Sequence, residues 1–190
     1  MTDRRVLVPL LTGAVAVVLG AVLVVWAFRA PSTGEPRTTG QQATVTLSAR
    51  PLVDRAGGFR TRVPQGLHGR LDGHTAVIAS RDRSVLVLIA PSRSGRLART
   101  NAAIVRAMHD GYRHVRVLGQ RRERVDGRPG LSTFGTAVNH AGVHLRWVQL
   151  TVRARPRNLT VATYTRSDTD PHWVVPRVNV VVNGLRLLRG

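Results

Sequence analysis

The sequence predicts an α+β chain: an antiparallel β-sheet domain with one clear helix, set behind an N-terminal transmembrane helix. Three observations carry this. Residues 6–28 contain no charged side chain, and several segments between residues 44 and 166 alternate apolar with polar residues. Only residues 95–112 switch to a helical period. Hydrophobic residues make up 43% of the chain, enough for a packed core rather than a disordered polymer.

The 6–28 segment, "VLVPLLTGAVAVVLGAVLVVWAF", is 23 residues long. As a helix it spans roughly 35 Å, slightly more than the roughly 30 Å of a bilayer's hydrocarbon layer. Arg4, Arg5 and Arg29 bracket it, and Trp26 lies near one end, where an indole favours the interface. Pro9 falls in the first turn, where its missing N–H costs little. A cleaved export signal has a shorter apolar stretch and a small-x-small site. Cleavage after Ala30 sets Phe28 at −3 and Pro31 at +1, both unfavourable; Ala27, with Val25 at −3, offers the only passable site. The segment therefore reads as an uncleaved anchor. Charge counting across it is close to a tie, tipped slightly toward a cytoplasmic N-terminus.

The domain plan follows: residues 1–5 as a short cytoplasmic tail, 6–28 as the membrane helix, 29–43 as a linker and 44–190 as the domain. The linker is rich in Pro, Gly, Ser and Thr and lacks apolar periodicity.

Within the domain, "TVTLSA" (44–49) and "FRTRV" (59–63) have the period of half-buried strands. "HTAVIAS" (74–80) and "SVLVLIA" (84–90), separated by "RDR", form a hairpin. Over 95–112, Leu97, Ile104, Val105, Met108 and Tyr112 share a helical face, and Gly111 marks where the helix stops. Four strands follow at 114–125, 131–138, 143–154 and 159–166. The turns "DGRPG", "NHAG" and "RPRN" join them into a meander. In the third, Val143, Leu145 and Trp147 hold one phase while Val148, Leu150 and Val152 hold the other. That predicts a β-bulge near Trp147–Val148. The end, 170–188, opens with an Asp-Pro pair suited to an N-cap and first helical position. Its valines disfavour helix and Pro176 interrupts it, so pattern alone leaves strand and helix open.

Several motifs together resemble the PsbP-like fold, and within it the actinobacterial LpqN-type exported proteins. "GFRTRVPQGL" (58–67) is similar to the opening strand with its Pro-x-Gly turn, and "SVLVLIAPS" leads into an amphipathic helix. The run from "RVDGRPGLSTFGTAV" to "NLTVATYT" resembles the strands at the sheet's centre, and "VNVVVNGLRL" the closing helix. The resemblance implies an α/β (α+β) sandwich, an antiparallel β-sheet with flanking helices, with helix over 170–188. It also implies an extracytoplasmic domain at the cell membrane acting as a binding or assembly module without catalysis. The chain has no Cys, so the lipid attachment of lipoprotein members is replaced by the 6–28 helix.

The charge is extreme: +19 overall, every basic residue an Arg, and 25 Arg against 8 Asp plus Glu from residue 44 onward, a net +17. A GC-rich genome accounts for Arg in place of Lys but not for the scarcity of acids. Such a surface attracts polyanions. Two clusters are candidate anion-binding groups: Arg121, Arg122, Arg124 and Arg128, and Arg153, Arg155 and Arg157. Expected partners are the membrane through residues 6–28, anionic lipid or wall polymer, and an envelope protein. The alternatives are an exported hydrolase and a membrane-tethered basic nucleic-acid-binding domain, the latter disfavoured because aromatics total 4% and Phe134, Trp147 and Tyr164 fall inside strands rather than on a stacking platform. No catalytic, cofactor or metal constellation emerges. His140 and His144 lack nearby carboxylates, and Asp168 and Asp170 read more simply as a loop residue and a helix cap than as an acid–base pair. G-x-S-x-G and phosphate-loop motifs are absent.

Overall fold

A computed structural model describes residues 49–92 and 95–188. The anticipated membrane helix (6–28), linker (29–43) and all but the last residue of the 44–49 strand lie outside the described residues. Among the described residues no helix is long and apolar enough to cross a membrane.

Among the described residues, ten strands and two helices follow in chain order. They are β1 (Ala49–Asp54), β2 (Phe59–Pro64), β3 (His68–Asp72), β4 (Thr75–Ala79), β5 (Val85–Ser92) and α1 (Leu97–Gly111), then β6 (Arg113–Val125), β7 (Arg128–Val138), β8 (His144–Val152), β9 (Asn158–Arg166), α2 (Pro171–Asn183) and β10 (Arg186–Leu187). A seven-stranded sheet has the order β3-β4-β5-β9-β8-β7-β6, and a three-stranded one the order β1-β2-β10. Every pairing is antiparallel. The meander β6 to β9 is as the turn chemistry implied, and β4–β5 is the expected hairpin. After β2, Leu67 N donates to Pro64 O at 3.2 Å, and Gly66, at φ +88°, supplies the turn conformation a Cβ would strain.

The bulge expected at Trp147–Val148 is not there. Both residues keep register with β7 and β9: Trp147 lies opposite Gly135 and Tyr164, Val148 opposite Phe134 and Thr163. The two apolar phases of β8 coexist because the sheet is covered on both sides. Trp147 packs with Met108 of α1 and Ala137. Leu150 and Val152 join the main core with Phe59, Val63, Val161 and the valines of α2. A strand buried on both faces needs no bulge to hide two sets of apolar residues. The sheet's irregularities fall instead in the first half of β6, between Arg113 and Arg116 and between Val117 and Gly119.

Apolar–polar alternation does not mark β1, whose exposed positions and Pro51 obscure it, or β3, which is exposed throughout. The signal for β3 was its Asp72-Gly73 turn into β4, a hairpin dipeptide.

The 170–188 stretch divides. Asp170 caps α2, its carboxylate accepting from His172 N at 2.9 Å, and Pro171 takes the first helical position. Val174, Val178, Val181 and Val182 are buried at helical spacing, so packing outweighs their weak propensity. The helix runs through Pro176 to Asn183 without restarting. The last residues then leave it, because Arg186 and Leu187 pair with Arg60 and Phe59 of β2. A Cβ on Gly184 would lie 2.7 Å from Val180 O and 3.1 Å from Arg62 Cγ, so glycine lets the helix end press against β2.

Candidate functional site

The topology gathers several turns at one end of the large sheet: the β6–β7 turn at 126–127, the β8–β9 loop at 153–157 and the β5–α1 connection. The link is direct. Arg153 N donates to Pro129 O at 2.9 Å, so the second arginine cluster starts beside Arg128 of the first. Ser92 pairs with Asn158, and Asn158 Nδ2 donates to Gly95 O at 3.2 Å, which brings the start of α1 to the same place.

Arg124, Arg128, Arg153, Arg155 and Arg157 are all exposed at this end. The first cluster is not a single patch, however. Arg121 and Glu123 lie opposite Ser132 and Gly130, which lie opposite Leu150 and Val152, so both project to the main-core side. Arg122 and Arg124 alternate to the side that carries α1. Sequence proximity grouped four arginines that the strand period separates.

Arg96 and Arg99, at the start of α1, belong to the site and were not anticipated; only the topology brings them there. No acidic residue occupies the first turn of α1, and Arg96 makes no side-chain cap, so the partial positive charge of the helix start adds to that of the guanidiniums. Among the described residues none of Arg96, Arg99, Arg122, Arg124, Arg128, Arg153, Arg155 or Arg157 is within ion-pair distance of a carboxylate.

The two carboxylates nearby are engaged in the fold. Asp126 accepts from Leu187 N at 2.9 Å and lies 3.7 Å from Arg186 Nε. Glu123 lies 3.8 Å from Arg121 Nε with its side chain 14% exposed; burial pushes its pKa up, while the Ser132 hydroxyl and Arg121 pull the other way. With Asn183 and Arg186 these residues line a cleft of about 200 Å³, below the roughly 300 Å³ at which small-molecule sites usually begin.

The remaining candidates sit elsewhere. Asp168 is bound by Arg166, Nε to Oδ1 at 3.1 Å and Nη2 to Oδ2, and Asp170 is the α2 cap; each serves a local structure. Among the described residues no three His, Asp or Glu side chains converge in metal-binding geometry. The His-to-carboxylate approach is His74 Nδ1 to Asp54 Oδ2 at 3.5 Å. Trp147 is buried with its Nε1 donating to Thr136 O, so it offers no face to a base.

An antiparallel sheet of this order, with one helix on a face and a second helix and small sheet on the other, is the PsbP-like fold. Solved structures agree. The cyanobacterial PsbP protein CyanoP from Synechocystis sp. PCC 6803 matches at TM-score 0.57 and 14% identity, over 80% of this chain and 98% of that one. LpqN of Mycobacterium tuberculosis, described as involved in cell envelope biogenesis, matches at TM-score 0.53 and 11% identity, over 79% of this chain and 100% of that one. No family model and no curated sequence matches the chain.

Proposed function

We propose that this protein is a non-catalytic, membrane-anchored module of the cell envelope whose extracytoplasmic domain binds an anionic envelope component through the basic end of its sheet. The observation that carries the reading is the convergence of Arg124 and Arg128, the 153–157 cluster and the start of α1, with Asp126 held by the fold and Glu123 set against Arg121 on the other face. The uncharged 6–28 segment supports anchoring, and the likeness in fold to LpqN supports an envelope setting. The ligand that fits is a repeating phosphate or carboxylate polymer, or a phosphate-bearing headgroup, because several exposed guanidiniums favour multivalent anions over a single small one.

Two measurements test this. Alkaline phosphatase fused after Gly190 is active if the domain is exported, and inactive fusions at full expression overturn the placement. The full-length chain in nonionic detergent retains inorganic polyphosphate and anionic vesicles at physiological salt, with retention falling as salt rises. Preference for duplex DNA over both overturns the choice of ligand.

A further inference from the structure

The basic end leaves a second feature unexplained, the strand at the sheet's edge. β6 is 13 residues long and occupies the last position in the seven-stranded order. At roughly 3.4 Å per residue it presents about 44 Å of backbone edge. Its inner side pairs with β7, and no described strand pairs with its outer side. From Gly119 to Val125 the register runs unbroken, Gly119 opposite Phe134 through Val125 opposite Arg128, so this half is regular enough to template another strand.

We propose that the outer edge of β6, centred on Gly119–Val125, takes an extended acidic segment of a partner protein by strand addition. The proposal rests on reading the domain as a binding module and names how a protein partner would dock. Main-chain hydrogen bonds supply affinity in this mode, and side chains alternating to the two faces supply selectivity.

Charge selects the occupant. Exposed edges are commonly guarded by charged side chains that discourage pairing. Here the guards have one sign: Arg113, Arg116, Arg121, Arg122 and Arg124 are exposed along β6, and Glu123 is turned toward Arg121 and largely buried. A second copy of this strand is repelled. An acidic strand is attracted chiefly on the face that carries Arg122 and Arg124, since Arg121 on the other face already lies against Glu123. Leu118 and Val117, 60% and 47% exposed, add an aliphatic contact where the regular half begins.

The sheet's other edge shows the contrast. β3 has five residues, and its Arg70 is neutralised by Asp72 at 3.3 Å. No acidic run occurs in these 190 residues, and the charge of the edge fits an acidic strand of a partner protein.

The test uses the full-length chain in nonionic detergent and a synthetic peptide of alternating glutamate and valine, about eight residues long to match one strand. A second peptide has the same sequence with alternate backbone nitrogens methylated, which keeps charge and removes strand pairing. Amide hydrogen exchange is read residue by residue, with β3 as internal control. The expected result is exchange slowed about tenfold or more over Gly119–Val125 by the first peptide only. Arg122→Glu with Arg124→Glu weakens that binding by about tenfold or more while leaving circular dichroism unchanged. Equal binding of the methylated peptide, protection appearing at β3, no protection of β6 at all, or wild-type binding by the double variant each overturns the proposal. Polyphosphate retention is read separately on the same samples, so failure at this edge is distinguishable from failure of the basic end.

Discussion

Asp126 and Leu187 are 61 residues apart in sequence, yet the Asp126 carboxylate accepts the Leu187 backbone N–H at 2.9 Å. The contact fastens the C-terminal strand β10 to the turn between β6 and β7. It also turns the acidic side chain of that turn toward Leu187 and Arg186, so Asp126 forms no ion pair with Arg124 or Arg128. Structure and charge are linked at this residue.

Removing the acceptor tests that linkage. Asp126→Ala is expected to cost about 1 kcal/mol, the scale of a partly exposed hydrogen bond. Exchange of the Leu187 amide should accelerate while the β8 and β9 amides keep their protection. Urea unfolding and hydrogen exchange measure the two effects; unchanged Leu187 exchange contradicts the contact.

The main core makes a larger demand. Leu150 is fully buried among Val152, Val161 and the valines of α2. Leu150→Ala is expected to cost about 2–5 kcal/mol, because the surrounding strands cannot collapse onto the space it leaves. The same readout for exposed Leu118→Ala stays within about 0.5 kcal/mol.

A buried polar contact under α1 gives a third expectation. Asn101 is 1% exposed, and its Nδ2 donates to the Thr133 hydroxyl, which also accepts from Gln120 Nε2 at 3.0 Å. Asn101→Leu removes the donor and forces an aliphatic side chain among buried hydroxyls and amides. A loss of about 1–3 kcal/mol in chemical unfolding is expected, with α1 amides exchanging faster.

The acid limb of stability carries the signature of Asp82. Hydrogen bonds from the Ser80 side chain and from the Ser84 backbone and side chain lower its pKa to about 2 from an ordinary 3.8. The folded state thus holds the ionised form more tightly than the unfolded chain does. Its contribution is complete above pH 3.8 and is lost as pH falls through about 2. Thermal unfolding of Asp82→Asn between pH 5 and 2 should show a shallower decline across that window than the natural protein; parallel curves contradict it.

Much of this architecture was legible in the sequence where one physical signal dominated. The α1 face containing Ile104 and Met108, the β4–β5 hairpin and the four-strand meander follow from period and turn chemistry. In strand β8 the phase change implies a bulge only if one face meets water; its two apolar phases serve two covered faces. β3 carries no apolar face to detect. At the candidate site the sequence supplied both arginine clusters but not their meeting, which depends on register between Pro129 and Arg153. It also grouped Arg121 with Arg122, which the strand period sends to opposite sides.

The central claim is that anion binding is localised at one end of the sheet rather than spread over a basic surface. Two triple variants of equal charge decide it: Arg153→Gln, Arg155→Gln and Arg157→Gln at the basic end, and Arg81→Gln, Arg113→Gln and Arg116→Gln at the other. All six side chains are exposed. Polyphosphate affinity at physiological salt should fall about tenfold or more in the first variant and about twofold or less in the second. Equal losses in both would contradict a localised site and leave only net charge as the source of binding.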